Sequence, residues 1–457
     1  MSTVPTSPST TATRRQRRCY APPVGRPRGW IVVALTVLIT GFSGLTAARA
    51  DADDPYFNEN EYTEFYTPPE SLPRGEPGDL IRTEPSRLVL EPSGQLGAIM
   101  ATGTRIMYRS SDSRDRPMAV TGTYFEPFNP WPGAGPRPLI VYGPGTQGLG
   151  DQCAPSRQFN QGIHWSPFLD FTFNYEEMFV ATMVARGFAV VMTDYEGLGT
   201  PGVHTYVNRV AQANAMLDAG RAAARLPGTS LDPHGPMALF GYSQGGGAAA
   251  SAVELASEYA PELRIVGAYA GAPPADLEEL IPFADGSVLV GVIGYALNSV
   301  MATYPEYADV VRAALSPMGE KLVDDTQHQC VEETALRFRF KHLQDFFNGD
   351  VTQVVTNPLF RKLFDSQHLG RFKPDAPVLI VSNRYDPLVP YRAAAQLGRD
   401  WCAQGADVQF WTNEQPPLFN KLVVNHALPQ FVDGERAMRW IADRFNGLPT
   451  TPNCGTL

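Results

Sequence analysis

Residues 236–256, PMALFGYSQGGGAAASAVELA, constrain this chain more than any other stretch. MALFGY is a short apolar run suited to a buried parallel strand. GGAAASAVELASEY is a helix-forming run. Between them, Gly241-Tyr242-Ser243-Gln244-Gly245 makes a G-x-S-x-G pattern. Strand, sharp turn and helix in that order lift a serine hydroxyl above the edge of a sheet. Gly241 and Gly245 flank a turn so tight that side chains there would strike the neighbouring strand and helix. Ser243 then stands at a helix N-terminus, where free N–H groups and the helix dipole favour negative charge. The Gln244 N–H is placed to hold an oxyanion. With 41 glycines in the chain, the bare pattern carries little weight; its flanking strand and helix carry the argument.

The first fifty residues read as a leader. Six arginines and no acidic residue precede the apolar run WIVVALTVLITGFSGL, and Ala48-Arg49-Ala50 fits an A-x-A cleavage site. The run is short for a membrane span, so export with cleavage near Ala50 is expected; an uncleaved anchor over 30–45 is the alternative. The whole chain has net charge −10. Loss of an arginine-rich leader leaves it more acidic still, which argues against nucleic acid or an anionic membrane as partner. Cys19 leaves with the leader. Cys153, Cys330, Cys402 and Cys454 remain, an even count that suggests two disulfides with three possible connectivities. No C-x-x-C or His/Cys cluster points to a metal, and no protein partner is evident.

Along the remaining chain, residues 51–85 show no period and read as an extended surface arm. Residues 96–125 alternate weakly and suggest an antiparallel hairpin. Strands and helices then alternate. Strands are expected at 137–145, 237–242, 264–274, 376–390 and 406–412, and a strand with its loop at 188–199. Helices are expected at 175–187, 207–226, 391–404 and 434–445. The pattern predicts a mostly parallel sheet with helices on both faces. It is interrupted between 275 and 372. The expected organisation is a leader over 1–50, core over 51–274, a helical insertion over 275–372 and core again over 373–457.

A serine nucleophile needs a base, and the base needs an acid to fix its tautomer. In this fold class the order is Ser, then Asp or Glu, then His. Asp386 directly follows the apolar strand VLIVS, and strand ends carry the site in parallel sheets. Asp375 and Asp407 precede strands and so sit at the wrong end. Of the seven histidines, only His426 falls after the last strand. A second oxyanion donor is expected from the glycine-rich loop 143–150, at Thr146 or Gln147. That loop lacks the G-K-[ST] of a phosphate-binding loop. Asp194-Tyr195-Glu196-Gly197-Leu198-Gly199 reads as a turn, with Asp194 bonding its own backbone. The apolar run 287–307 suits either a pocket wall, with Gly294 as a pocket position, or simple helical core.

GTQGLGDQCAPS, DYEGLGTPG, GYSQGG, YPEY and the late Asp–His pair resemble the secretory lipase family. The resemblance spans nearly all of the chain after the leader. It implies an α/β-hydrolase fold with a mostly parallel sheet and an inserted helical cap. It further implies hydrolysis of lipid esters at Ser243, Asp386 and His426, without a cofactor, with lipid or another ester as substrate and a lipid–water interface as a possible setting. It favours Cys153–Cys330 and Cys402–Cys454 as the disulfide pairs. An acyltransferase using the same three residues and a catalytically silent binding protein on the same fold are the rival readings.

Overall fold

Strands that are mostly apolar and buried along nearly their whole length, yet send alternate side chains to opposite faces, must be covered on both sides. Five such strands form the middle of this molecule. The computed structural model describes residues 64–91, 93–165, 171–350 and 356–457. The expected leader and the start of the arm lie outside the described residues.

Strands β1 (Leu80–Ser86), β2 (Ala101–Ser111) and β3 (Pro117–Pro127) form an antiparallel meander. They are followed by β4 (Leu139–Gly143), a separate ribbon of β5 (Ile163–Trp165) and β6 (Phe171–Phe173), β7 (Ala189–Thr193), β8 (Met237–Tyr242), β9 (Ile265–Gly271), β10 (Val378–Asn383) and β11 (Val408–Asn413). The nine-stranded sheet has the order β1-β2-β3-β7-β4-β8-β9-β10-β11. From β7 to β11 all neighbours are parallel. The chain leaves β4 for β7 on one side and returns to β8 on the other. The carboxyl ends of β4 and β8 therefore flank a switch point, where parallel sheets leave a crevice.

Helices α1 (Glu177–Ala185), α2 (Arg209–Arg225) and α3 (Gln244–Tyr259) alternate with the central strands. The segment between β9 and β10 supplies α4 (Leu277–Ala284), α5 (Ile293–Thr303), α6 (Ala308–Ala314), α7 (Pro317–Thr326), α8 (Val331–Phe338), α9 (Leu343–Phe346) and α10 (Pro358–Gln367). After β10 come α11 (Tyr391–Ala403) and, after β11, α12 (Val424–Phe445). Leu139 and Val141 of β4 pack with α2, α3 and α11 on one face. Ile140 and Tyr142 pack with α1 and α12 on the other. Each fully buried aliphatic side chain contributes about 1.5–3 kcal/mol, so these strands hold the layers together. The α4–α10 segment has its own apolar cluster, including Leu297, Val311, Leu322 and Phe346.

Three expectations change here, the third at Asp194. Residues 80–86 are not irregular arm but the edge strand β1. Its mostly half-exposed residues, and Pro85 within it, hide the alternation that a buried strand would display. The last helix starts at Val424 rather than at 434, so His426 lies in its first turn and not in a loop. Pro429 and Gly434 read as helix breakers in the sequence. Pro429 sits near the beginning of α12, where its missing N–H removes one backbone bond and the remaining length of the helix tolerates it.

The structure joins Cys153 to Cys330 and Cys402 to Cys454, with Cα–Cα distances of 5.4 and 5.5 Å. The first bridge stands beside backbone contacts between the loop after β4 and the start of α8. Val331 N–H donates to the Gln147 carbonyl at 2.8 Å and Leu149 N–H to the Gln329 carbonyl at 3.1 Å. Asp194 is a buried pin rather than a self-contained turn. Its carboxylate accepts from the Thr121 hydroxyl at 2.6 Å, the Ser156 N–H at 2.9 Å and the Ser156 hydroxyl.

Candidate active site

β8 ends in the turn that the glycines predicted. Ser243 takes φ 58° and ψ −121°, a conformation that costs a non-glycine residue of order 1–3 kcal/mol. Its neighbours leave no room for side chains. A Cβ on Gly245 would lie 2.0 Å from the Gly143 carbonyl oxygen, and one on Gly241 would lie 2.1 Å from that of Gly245. The turn is held by Ser243 N–H donating to the Gly271 carbonyl at 2.9 Å.

Ser243 and Asp386 from two strand ends and His426 from the first turn of α12 come together. His426 Nε2 is 2.8 Å from Ser243 Oγ, and its Nδ1 is 2.8 Å from Asp386 Oδ2. A carboxylate only accepts, so Nδ1–H donates to Asp386 and Nε2 is left to accept the serine proton. The other carboxylate oxygen of Asp386 accepts from the Leu388 and Val389 N–H groups, each at 2.9 Å. Those two bonds fix the carboxylate on the loop after β10. The Tyr242 hydroxyl donates to the His426 carbonyl at 2.7 Å and ties the first turn of α12 to the strand before Ser243.

The two sides of the expected oxyanion site are built differently. Gln244 opens α3, and its side-chain Nε2 donates to His204 Nε2 at 3.0 Å. His204 Nδ1–H in turn donates to the Glu196 carbonyl at 2.8 Å. Burial holds this imidazole neutral, its pKa pulled down to about 4. His204 precedes Ser243 in the chain, so the order argument passes over it; nothing in its sequence surroundings marks it as a support. Across the crevice, Thr146 faces the same cavity as Ser243. The Thr146 carbonyl accepts from the Tyr175 hydroxyl at 2.9 Å, and its hydroxyl pairs with that of Tyr206 at 2.8 Å. Gln147 is buried, and its side chain turns back to the Gly145 carbonyl at 3.3 Å, so of the two candidates Thr146 has the access. Glu176 also reaches this site and escapes sequence reading, because Glu176-Glu177 looks like ordinary acidic residues at a helix start.

These groups open on a cavity of about 470 Å³. Gly145, Thr146, Ser243 and His426 form its polar end. Ile281, Ala296, Val300 and Phe364, from the α4–α10 segment, are among its apolar walls. Gly294 is not a wall residue. A side chain there would meet Thr326 and Leu322 of α7 within the segment's own packing, whereas Ala296 and Val300 of α5 line the cavity.

The parallel sheet, the serine turn at the end of β8 and the helices inserted after β9 define an α/β-hydrolase fold, and the family that it matches makes it a hydrolase of ester bonds. The profile of the secretory lipase family matches residues 163–453, and the chain belongs to that family. It is 28% identical over 393 residues to a protein of Mycobacterium tuberculosis named as a probable inactive lipase, covering 85% of this chain and 82% of that one. It is 26% identical over 397 residues to a secreted triacylglycerol lipase of Malassezia furfur, covering 85% and 77% respectively. The fold is similar to that of Candida antarctica lipase A, with a TM-score of 0.72 at 22% identity over 86% of this chain and 87% of the other.

Proposed function

We propose that this protein is an exported lipase that hydrolyses triacylglycerols and related lipid esters. The observation that carries the reading is the unbroken run of 2.8 Å contacts from Asp386 through His426 to Ser243, opening on an apolar cavity. Ser243 Oγ attacks the ester carbonyl while His426 Nε2 takes its proton. The tetrahedral oxyanion is held by the backbone N–H groups of Gln244 and Thr146. Collapse expels the alcohol, which takes the proton from His426. Water then attacks the acyl-serine with His426 again as base, releasing the fatty acid and restoring Ser243. Asp386 keeps Nδ1 protonated and stabilises the imidazolium. No step calls for a cofactor. Residues 275–372 act as a cap whose cavity receives the acyl chain.

Export follows from the leader-like residues 1–50 and accords with relatives that are named as secreted lipases. Among the described residues, no helix is long and apolar enough to cross a membrane.

One relative is named as probably inactive, so the reading is tested on this chain itself. The purified protein should release fatty acid from triacylglycerol emulsions and cleave p-nitrophenyl esters. A fluorophosphonate probe should label it, and Ser243→Ala should abolish both labelling and turnover. Absence of turnover on every ester would leave a binding protein on this fold. Transfer of the acyl group to an added alcohol in preference to water would make it an acyltransferase.

A further inference from the structure

Glu176 is fully buried, yet its carboxylate borders the cavity that holds Ser243. Three donors from three elements converge on it. Gly145 N–H, in the loop that carries Thr146, donates to Oε1 at 2.8 Å. The Tyr142 hydroxyl, at the end of β4, donates to Oε2. Gln430 Nε2, one helical turn beyond His426 on α12, donates to Oε2 at 3.1 Å. One carboxylate thus links the second oxyanion loop, the strand before it and the helix bearing the base. From this geometry, and resting on the catalytic reading above, we infer that Glu176 is a positioning residue that works in its ionised form. It holds the Gly145–Thr146 backbone in register with His426 and Ser243.

The ionised form is favoured because all three partners donate to it as placed, and the Gly145 N–H can do nothing else. A proton on Oε1 would confront the Gly145 N–H. A proton on Oε2 would force the Tyr142 hydroxyl or the Gln430 amide to turn and accept. Either way at least one of the three bonds is given up or rebuilt. The titratable groups that face Glu176 are Tyr142 on β4, Tyr175 beside it, Tyr195 in the loop after β7 and Tyr269 on β9. Burial raises the pKa of all four, so each is a neutral phenol at working pH. Among the described residues, no cation offsets the cost of burying the carboxylate. Burial therefore pushes Glu176 up to about 7, against the pull of its three hydrogen bonds. The clamp releases within the range in which an exported hydrolase operates.

Glu176→Gln has the shape of the protonated side chain and cannot ionise, so it should behave as permanently protonated Glu176. Near pH 9 the wild type should exceed E176Q in kcat by roughly 10- to 30-fold, less than the loss of a whole oxyanion donor, with KM changed by less than about twofold. Near pH 5.5, where the wild-type carboxylate is itself protonated, the ratio should shrink to about twofold or less. His426 is common to both proteins and cancels in the ratio. Gln430→Ala removes one donor that favours the ionised form, so it should move the wild-type acid limb to higher pH. That measurement stands even if E176Q does not fold. A wild-type to E176Q ratio that is constant with pH would overturn the inference, as would an acid limb unmoved in Q430A. Fluorophosphonate labelling at Ser243 is run first on the wild type. If the wild type is not labelled, the catalytic reading has failed; if it is labelled and the ratio is flat, only the role of Glu176 has.

Discussion

The sheet and the α4–α10 segment meet at the same cavity but are made in different ways. Ser243, Asp386, Thr146 and Gln244 all leave the carboxyl ends of parallel strands whose side chains are almost wholly buried. Hydrogen bonds from second elements hold them, such as Tyr242 to His426 and the Leu388 and Val389 amides to Asp386. The inserted segment is a set of short helices, of 4 to 11 residues, around a smaller apolar cluster. It supplies most of the apolar wall and none of the reacting groups. The sheet should therefore set how fast any ester reacts, and the insertion should set which ester reacts fastest.

Changes on the sheet side should lower the rate on every ester alike. His426→Ala and Asp386→Asn should each reduce kcat by roughly three to five orders of magnitude, with similar loss on short and long chains. Circular dichroism and a melting curve should show the fold retained. A variant that loses activity on long esters only would mean that the division between the two regions is wrong.

Changes on the insertion side should reorder the substrates. Ala296→Trp fills cavity space opposite Ser243. Each methylene excluded from an apolar pocket forfeits about 0.8 kcal/mol, close to fourfold in kcat/KM. Exclusion of two or three methylenes should cut the preference for long over short p-nitrophenyl esters by roughly 10- to 60-fold, while probe labelling of Ser243 persists. Gly294→Trp should instead disturb the packing against α7, lowering stability more than it alters chain-length preference. An identical chain-length profile in wild type and Ala296→Trp would place the acyl chain elsewhere.

The smallest effects should come from the two disulfides, and they sharpen the comparison. Serine at Cys402 and Cys454 should cost roughly 2–4 kcal/mol by urea denaturation and leave ester preference alone. Serine at Cys153 and Cys330 should cost a similar amount and also lower turnover, because that bridge sits between the oxyanion loop and α8. Equal catalytic effects of the two pairs would argue against a specific role for the first.

The two regions also differ in how far they could be read from sequence. The buried strands declared themselves as apolar runs, and Ser243, Asp386 and His426 followed from glycine spacing, strand ends and chain order. What escaped reading depends on side-chain direction and on contacts between distant segments. Gly294 sits in an apolar run, but nothing in that run says which face of α5 meets the cavity. Thr146 and Gln147 are adjacent, and only the folded loop separates one that faces the cavity from one that turns inward. Glu176 and His204 support the site through partners 254 and 40 residues away, in Gln430 and Gln244. The start of α12 was obscured by Pro429, and β1 by its exposure at the sheet edge.

The bridge between Cys153 and Cys330 has a mechanical consequence. With the Gly148–Cys330 strand contact and the two backbone bonds beside it, it fastens the insertion to the catalytic floor along one margin. On another margin Val288 N–H donates to the Lys421 carbonyl at 2.7 Å and the Lys421 ammonium donates to the Asp285 carbonyl at 2.6 Å. Those contacts are few and non-covalent, and they run through the exposed segment just before His426. Elsewhere Arg392 donates to Glu279 at 2.9 Å and the Arg209 N–H donates to Gln367 at 2.7 Å, so the bridge makes the side beside Gln147 the last of these attachments to part.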